Sequence, residues 1–467
     1  MVFDRRGWRF LAVAVLLASP AQEAAAVASK GRHPVEPAVA TAAMVPVGPA
    51  VVDDGRRTLE RIHDPVVIAA QALAGLGVRD TSRFRLIRFE GGRATAVPFQ
   101  FDQRDQRGEV VVPGPPTFEM DANDELVFMA KDAGDHAGAD PCAEGACEGA
   151  LEIRIAEPAG GKCAWVYLLA FREPPAPPKF DPYVTFDDEG REARSANYRV
   201  EYARARNYFT GMTVERAAGG DGANLLRRTH MIGSPTFSLL LSKVTLDFTE
   251  QNSIVEIDGV REGPVRAVRR ARLSVDLGPM FPELPSGLAY TYHYGTAYFT
   301  PSKVSFPWIM VKTLRDFRFE TVMDFVPVVP HPARYYDAAN PGGVSLAADG
   351  PVLRSTEDHD WWVYSSDAGT MLHAFEIPEL WKEWGIVRGA VVRTADDETQ
   401  TASAKGQAGE SRAAGYSLLN MTRLREAGSF ELMMASVVLP SPYRAGDEAG
   451  PMAMLHAPLA TEVRRIH

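Results

Sequence analysis

Cysteine is scarce in this chain: 467 residues hold Cys142, Cys147 and Cys163 and no others. None of them stands at ligand spacing from a histidine, which argues against a zinc site. Long apolar runs are also missing. The stretch from Phe10 to Ala18 falls short of the roughly 20 residues a membrane-crossing helix needs, and no later segment comes closer. Helical periodicity is nearly absent. No Gly-x-Ser-x-Gly elbow, phosphate-cradling glycine loop or His-Glu-x-x-His helix occurs, which disfavours an esterase of that kind, a nucleotide enzyme and a zincin. No nucleotide cofactor is expected. Positive charge is short as well, with 50 Lys and Arg against 60 Asp and Glu and a net charge of −10. That balance argues against a nucleic-acid partner.

What is present begins with an export signal. Met1 to Ala28 carries Arg5, Arg6 and Arg9, then the apolar run, then Ala26-Val27-Ala28, so a periplasmic or secreted protein is expected. Residues 29–56 read as a flexible leader rich in Ala, Val and Pro. From Arg57 onward short alternating or apolar segments recur between Gly, Pro and Asp, the pattern of stacked sheets. The reading is all-β, in two domains: a β-sandwich over 57–172, a proline-rich linker over 173–178, and a larger supersandwich-like domain over 179–467. Val66 to Leu76 reads as strand then loop, Phe237 to Phe248 and Ser305 to Val311 as strands, and Pro378 to Trp384 as a turn of helix opened by proline. Thr394 to Ala414 reads as a long loop. The ending Arg464-Arg465-Ile466-His467 argues against an outer-membrane barrel. Cys142 and Cys147 suit a disulfide at a hairpin tip, with Cys163 paired to one of them as the alternative.

Two groups of segments bear a resemblance. Asp64 to Ile68, Phe84 to Arg88, Ala96 to Gln100 and Asp124 to Ala130 resemble the β-domains that follow α-mannosidase catalytic domains. Glu262-Gly263-Pro264-Val265-Arg266 and the long strand after it are similar to the galactose-mutarotase-like supersandwich of polysaccharide lyases and glycosidases. The resemblance implies stacked β-sheets and carbohydrate as a substrate class; it brings no catalytic set with it.

Three constellations carry candidate chemistry. Asp102, Asp105, Asp121, Asn123 and Asp124 cluster oxygen ligands in turns, as Ca2+ requires, although the EF-hand glycine is missing; the alternative is a set of Asx turns. Tyr290, Tyr292 and Tyr294 share one face of a strand and Thr291 and His293 the other. The tyrosines suit sugar stacking, or a plain cross-strand stack. In a lyase, His293, Tyr292, His230 and Arg266 would supply the acid-base and charge-neutralising groups. Finally, Asp358-His359-Asp360 precedes Trp361 and Trp362. His359 suits a general acid and one of the two indoles suits a cleft wall, against a turn that leads into a buried strand. The leading functional expectation is binding of a polysaccharide or cell-envelope glycan. The alternatives are a lyase or glycosidase, and a non-catalytic envelope component.

Overall fold

The computed structural model describes residues 55–112, 118–138, 140–142, 147–187, 189–204, 208–239, 242–275, 284–328, 331–347, 349–394 and 412–467. The export segment, the leader up to residue 54 and residues 395–411 of the expected long loop lie outside them. No helix among the described residues is long and apolar enough to cross a membrane.

The protein is all-β, and its sheets stack in layers. Alternation along single strands creates the layering, because successive side chains leave a strand on opposite faces. In Pro65–Ala69, Val66 and Ile68 face one way and join Leu86, Ile153, Val166 and Leu168 in a buried cluster. Val67, between them, joins Val268, Tyr292, Phe299, Leu372 and Val437 in another. Glu125–Met129 divides likewise, with Leu126 and Phe128 on the first side and Val127 and Met129 on the second. The three-stranded sheet of Pro65–Ala69, Glu125–Met129 and Gln100–Asp102 is therefore buried on both faces.

On its first face lies a five-stranded sheet ordered Ala460–Arg465, Gly149–Ala156, Cys163–Ala170, Phe84–Glu90, Arg93–Ala96. On its second lies a nine-stranded sheet ordered Ser253–Glu262, Ala267–Val275, Leu284–His293, Ala297–Phe306, Gly428–Leu439, Gly369–Glu376, Trp361–Ser366, Arg334–Tyr336, Val344–Ser345. The far face of the nine-stranded sheet carries Tyr298, Trp362, Tyr364, Met371 and Phe375. These pack against Phe325, Val392, Ala414 and Tyr416 of a seven-stranded sheet that includes Leu226–Leu239, Leu314–Phe325, Arg412–Leu419 and Val387–Thr394. They also meet Tyr198, Val200 and Met212 of a four-stranded sheet. Each fully buried large apolar side chain contributes about 1.5–3 kcal/mol relative to exposure, so the double-faced sheets are where the stability concentrates.

Several elements depart from the sequence expectation. The strand at Pro65–Ala69 is followed by a 3-10 helix, Ala70–Leu76, where a loop is expected; Ala70, Leu73 and Leu76 turn inward and close it. The expected strand over Phe237 to Phe248 is a hairpin: Leu226–Leu239 reverses into Ser242–Thr245, with Thr236 opposite Thr245 and Leu239 opposite Ser242. Both limbs alternate, so alternation alone does not show the reversal. The strand expected over Ser305 to Val311 ends at Phe306, because Pro307 opens the helix Trp308–Thr313. The proline-opened turn forms as the helix Glu379–Glu383. Ala460–Arg465, at the end of the chain, returns to pair with Gly149–Ala156 in the five-stranded sheet. Cys142 and Cys147 form a disulfide with Cα atoms 5.6 Å apart, and Cys163 is buried at the start of its strand.

Candidate functional site

The tyrosine strand lies in the interior. Tyr292 and Tyr294 are buried in the layer between the three- and nine-stranded sheets, and Tyr290, half-buried, stacks on Tyr292 with ring centroids 6.0 Å apart. Burial pushes the Tyr290 hydroxyl up to about 12. Arg266, fully buried, lies over the Tyr292 ring at 4.9 Å and donates from Nη1 to the Tyr294 hydroxyl at 2.8 Å. Its Nε donates to Asp102 Oδ2 at 2.6 Å and its Nη2 to Glu125 Oε2 at 3.1 Å. Gln100 completes the junction: its Oε1 accepts the Arg266 amide at 2.9 Å and its Nε2 donates to Asp102 at 2.8 Å. Arg266 and Asp102 thus fasten the three-stranded sheet to the nine-stranded one.

His293 leaves the opposite face of its strand, with a ring nitrogen 3.1 Å from the Tyr198 hydroxyl and the other 2.7 Å from that of Tyr202. Burial, with Arg269 nearby, depresses it to about 3. His230 belongs to the seven-stranded sheet, where its Nδ1 is 3.1 Å from Glu250 and its Nε2 3.5 Å from Asp324. Of the four residues named for a lyase, Arg266 and Tyr292 meet in one buried layer, whereas His293 faces the other side of the sheet and His230 belongs to another sheet.

The acidic turn residues act mainly on the backbone. Asp124 accepts the amides of Arg104 at 2.9 Å and Asp121 at 2.8 Å, and Asp105 accepts those of Arg107 and Glu109 at 2.8 and 2.9 Å. Asn123 donates to the carbonyls of Arg104 and Asp105 at 3.2 and 2.7 Å. Among the described residues no group of three or more His, Cys, Asp or Glu side chains converges where an ion could be held.

A group of polar residues meets at the surface beside the start of the strand Trp361–Ser366. Trp362 is buried, stacked on Tyr335 at 5.7 Å and on His373 at 4.3 Å, whereas Trp361, on the other face, is half-buried. Trp361 pairs with Ala374, which places Glu376 on the same face as its diagonal neighbour. Glu376 Oε1 is 3.0 Å from His456 Nε2, at the end of the helix Ala449–His456, and Asp360 Oδ2 is 3.7 Å from the same nitrogen. Arg388 and Lys382 approach Glu376 at 3.7 and 3.8 Å. Asp358 grips Arg388 through the amide and Nε, at 2.7 and 2.9 Å. Burial opposes ionisation of Asp358, yet the Arg388 bonds hold it below the usual carboxylate range.

His359 turns inward from this rim. Its Nδ1 is 3.2 Å from Asp337 Oδ2 and its Nε2 is 2.7 Å from Ser355 Oγ. The Asp337 bond raises the imidazole above its ordinary value despite desolvation. Burial favours neutral Asp337, but bonds from His359, Tyr335 and Asn340 keep the carboxyl below the usual range.

Sequence reasoning singles out Asp358 to Trp362 but misses Ser355, Asp337, Glu376, Arg388 and His456. The Ser355–His359 spacing of four residues is the one local signal; the other partners come from distant strands and a helix, and only pairing brings them in.

No protein-family model and no curated protein sequence matches the chain. Among solved structures it is similar to two from Enterococcus faecalis, a protein in glycosyl hydrolase family 38 (10% identity, TM-score 0.44) and an alpha-mannosidase (11%, 0.45). Each match covers 88% of this chain but only 46% and 45% of those chains, so the protein spans less than half of their length.

Proposed function

We propose that this is an exported glycan-binding protein that takes sugar at the Trp361 rim. The observation that supports the reading is a partly exposed indole whose sequence neighbour Asp360 and cross-strand diagonal neighbour Glu376 both approach His456 at the surface. An indole offers an apolar face to the C–H side of a sugar ring, and carboxylates at its edge accept hydroxyl hydrogen bonds that fix orientation. The test is affinity electrophoresis through gels containing mannan, alginate or hydroxyethyl cellulose. The expected result is retardation by at least one polysaccharide, abolished in Trp361→Ala while circular dichroism shows the variant still folded. Unchanged mobility in all three gels, or full retardation of the variant, would refute it.

One observation favours glycosidase action as a second reading. Asp360 and Glu376 both lie within 4 Å of His456 Nε2, at 3.7 and 3.0 Å, so these carboxyl oxygens are at most about 7 Å apart, an upper bound that admits the roughly 5 Å spacing of a retaining pair. New reducing ends from the retarding polysaccharide, lost in Glu376→Gln, would select it. Binding without products would leave the rim a binding site.

A further inference from the structure

We propose that Ser355, His359 and Asp337 form a serine nucleophile site that hydrolyses small neutral acyl esters, an activity separate from glycan binding. The three side chains stand in the relay order of a nucleophile, a base and a group that orients the base: Ser355 Oγ is 2.7 Å from His359 Nε2, and His359 Nδ1 is 3.2 Å from Asp337 Oδ2. Such a trio is recognised by geometry and roles on unrelated folds, so the missing nucleophile elbow does not exclude it.

Each member is held by something rigid. Ser355 N–H donates to the Ala390 carbonyl at 2.9 Å and His359 N–H to the Arg388 carbonyl at 2.8 Å, so both ends of the turn are tied to the strand Val387–Thr394. Asp337 follows the strand Arg334–Tyr336, and its carboxylate accepts from Tyr335 Oη at 2.8 Å and from the amide and Nδ2 of Asn340 at 2.7 Å each. The Glu357 amide donates to Ser355 Oγ at 3.1 Å, which occupies an acceptor position of the hydroxyl and leaves its proton for Nε2. Ser355 is half-buried and Thr356, Glu357 and Asp358 are exposed, so the turn that carries Oγ lies at the surface. The exposed Glu357 carboxylate disfavours an anionic acyl group.

The step balances within the trio, ester and water. Oγ bonds to the ester carbonyl carbon as its proton passes to Nε2. The carbon–oxygen bond to the alcohol then breaks, and the alcohol leaves with that proton. Water attacks the acyl-serine, giving a proton to Nε2, which returns it to Oγ as the carboxylic acid departs. Asp337 is the positioning residue: it holds the proton on Nδ1 and so leaves Nε2 as the acceptor. The groups that set the titration of His359 are Asp337, Glu357 and Asp358, the last of them paired with Arg388.

The test uses the full chain, a fluorophosphonate probe and p-nitrophenyl acetate. The expected result is a single adduct on the Ser355 peptide, absent from Ser355→Ala, with ester hydrolysis in that variant reduced to the buffer rate. Asp337→Asn should slow hydrolysis at least about a hundredfold and move the ascending limb of the pH profile to lower pH, because the bond that raises His359 is weakened. An unlabelled wild type, equal labelling of Ser355→Ala, or a limb that Asp337→Asn leaves in place would each overturn the proposal. The probes contain no sugar, so the outcome is independent of the Trp361 reading.

Discussion

Tyr290 to His293 lies in the third strand from one edge of the nine-stranded sheet, and Asp358 to Trp361 leads into the third strand from the other, yet the two places treat similar residues in opposite ways. Around Tyr290 to His293 both faces are covered, so tyrosines stack on a buried arginine and a histidine loses its charge among hydroxyls. At the strand start one face still opens to solvent, and the imidazole there gains a carboxylate that favours its charged form. The same residue types are therefore packing material where layers cover both sides and are left partly open to solvent where a turn leads into the strand, the kind of place where working residues on loops held by a rigid scaffold are found.

The largest expected effect tests the interior half of that contrast. Arg266→Ala would leave Asp102, 1% exposed, without its main counter-charge, and breaking a buried pair this way costs about 3–5 kcal/mol. Denaturant unfolding should show a large fall in the midpoint, and the double variant Arg266→Met, Asp102→Leu should recover much of it. A single variant as stable as the wild type would mean that the layer is held by its apolar contacts alone.

The all-β class and most strands were legible in the sequence because alternation and turn residues are local signals. The partition of Tyr290 to Tyr294 into two faces was legible too, since it needs only the two-residue period. The third layer was not: that Val67 and Val127 face another sheet depends on what lies beyond them, and an uninterrupted apolar strand says only that both faces are covered. For the same reason Arg266 read as a candidate for charge stabilisation. Its partner Asp102 lies 164 residues away and belongs to another sheet. At the rim, the two-residue period put Trp361 and Trp362 on opposite faces, and only Trp362 is fully buried, yet which indole goes inward depended on the neighbouring sheet.

The two histidines should also differ in sign. His293 is depressed in the folded protein, so its contribution is fully present above the unfolded histidine value near 6.5 and is lost progressively as pH falls from there toward about 3, at up to about 1.4 kcal/mol per pH unit. His373, depressed to about 3 by burial, acts in the same direction. His359 is raised, so its contribution is present below the unfolded value and lost as pH rises through the folded one. Chemical denaturation between pH 4.5 and 8 should show His293→Phe flattening the acid side of the stability profile and His359→Gln flattening the neutral side. If both variants flatten the same side, the two regions do not differ as described.

The smallest effect concerns the turn around Asp124, where the choice lies between holding backbone and holding an ion. Its two oxygens accept one amide each, from Arg104 and Asp121. Asp124→Asn keeps one acceptor and replaces the other by an NH2 group facing an N–H, so a cost of about 1 kcal/mol is expected, equal with and without added calcium. A calcium ligand would behave differently, since a cation stabilises the state that binds it in proportion to the logarithm of its concentration. Millimolar calcium should therefore leave the wild-type unfolding midpoint where it stands. A rise that vanishes in Asp124→Asn would instead make these carboxylates ligands, with the turn holding an ion as well as its own backbone.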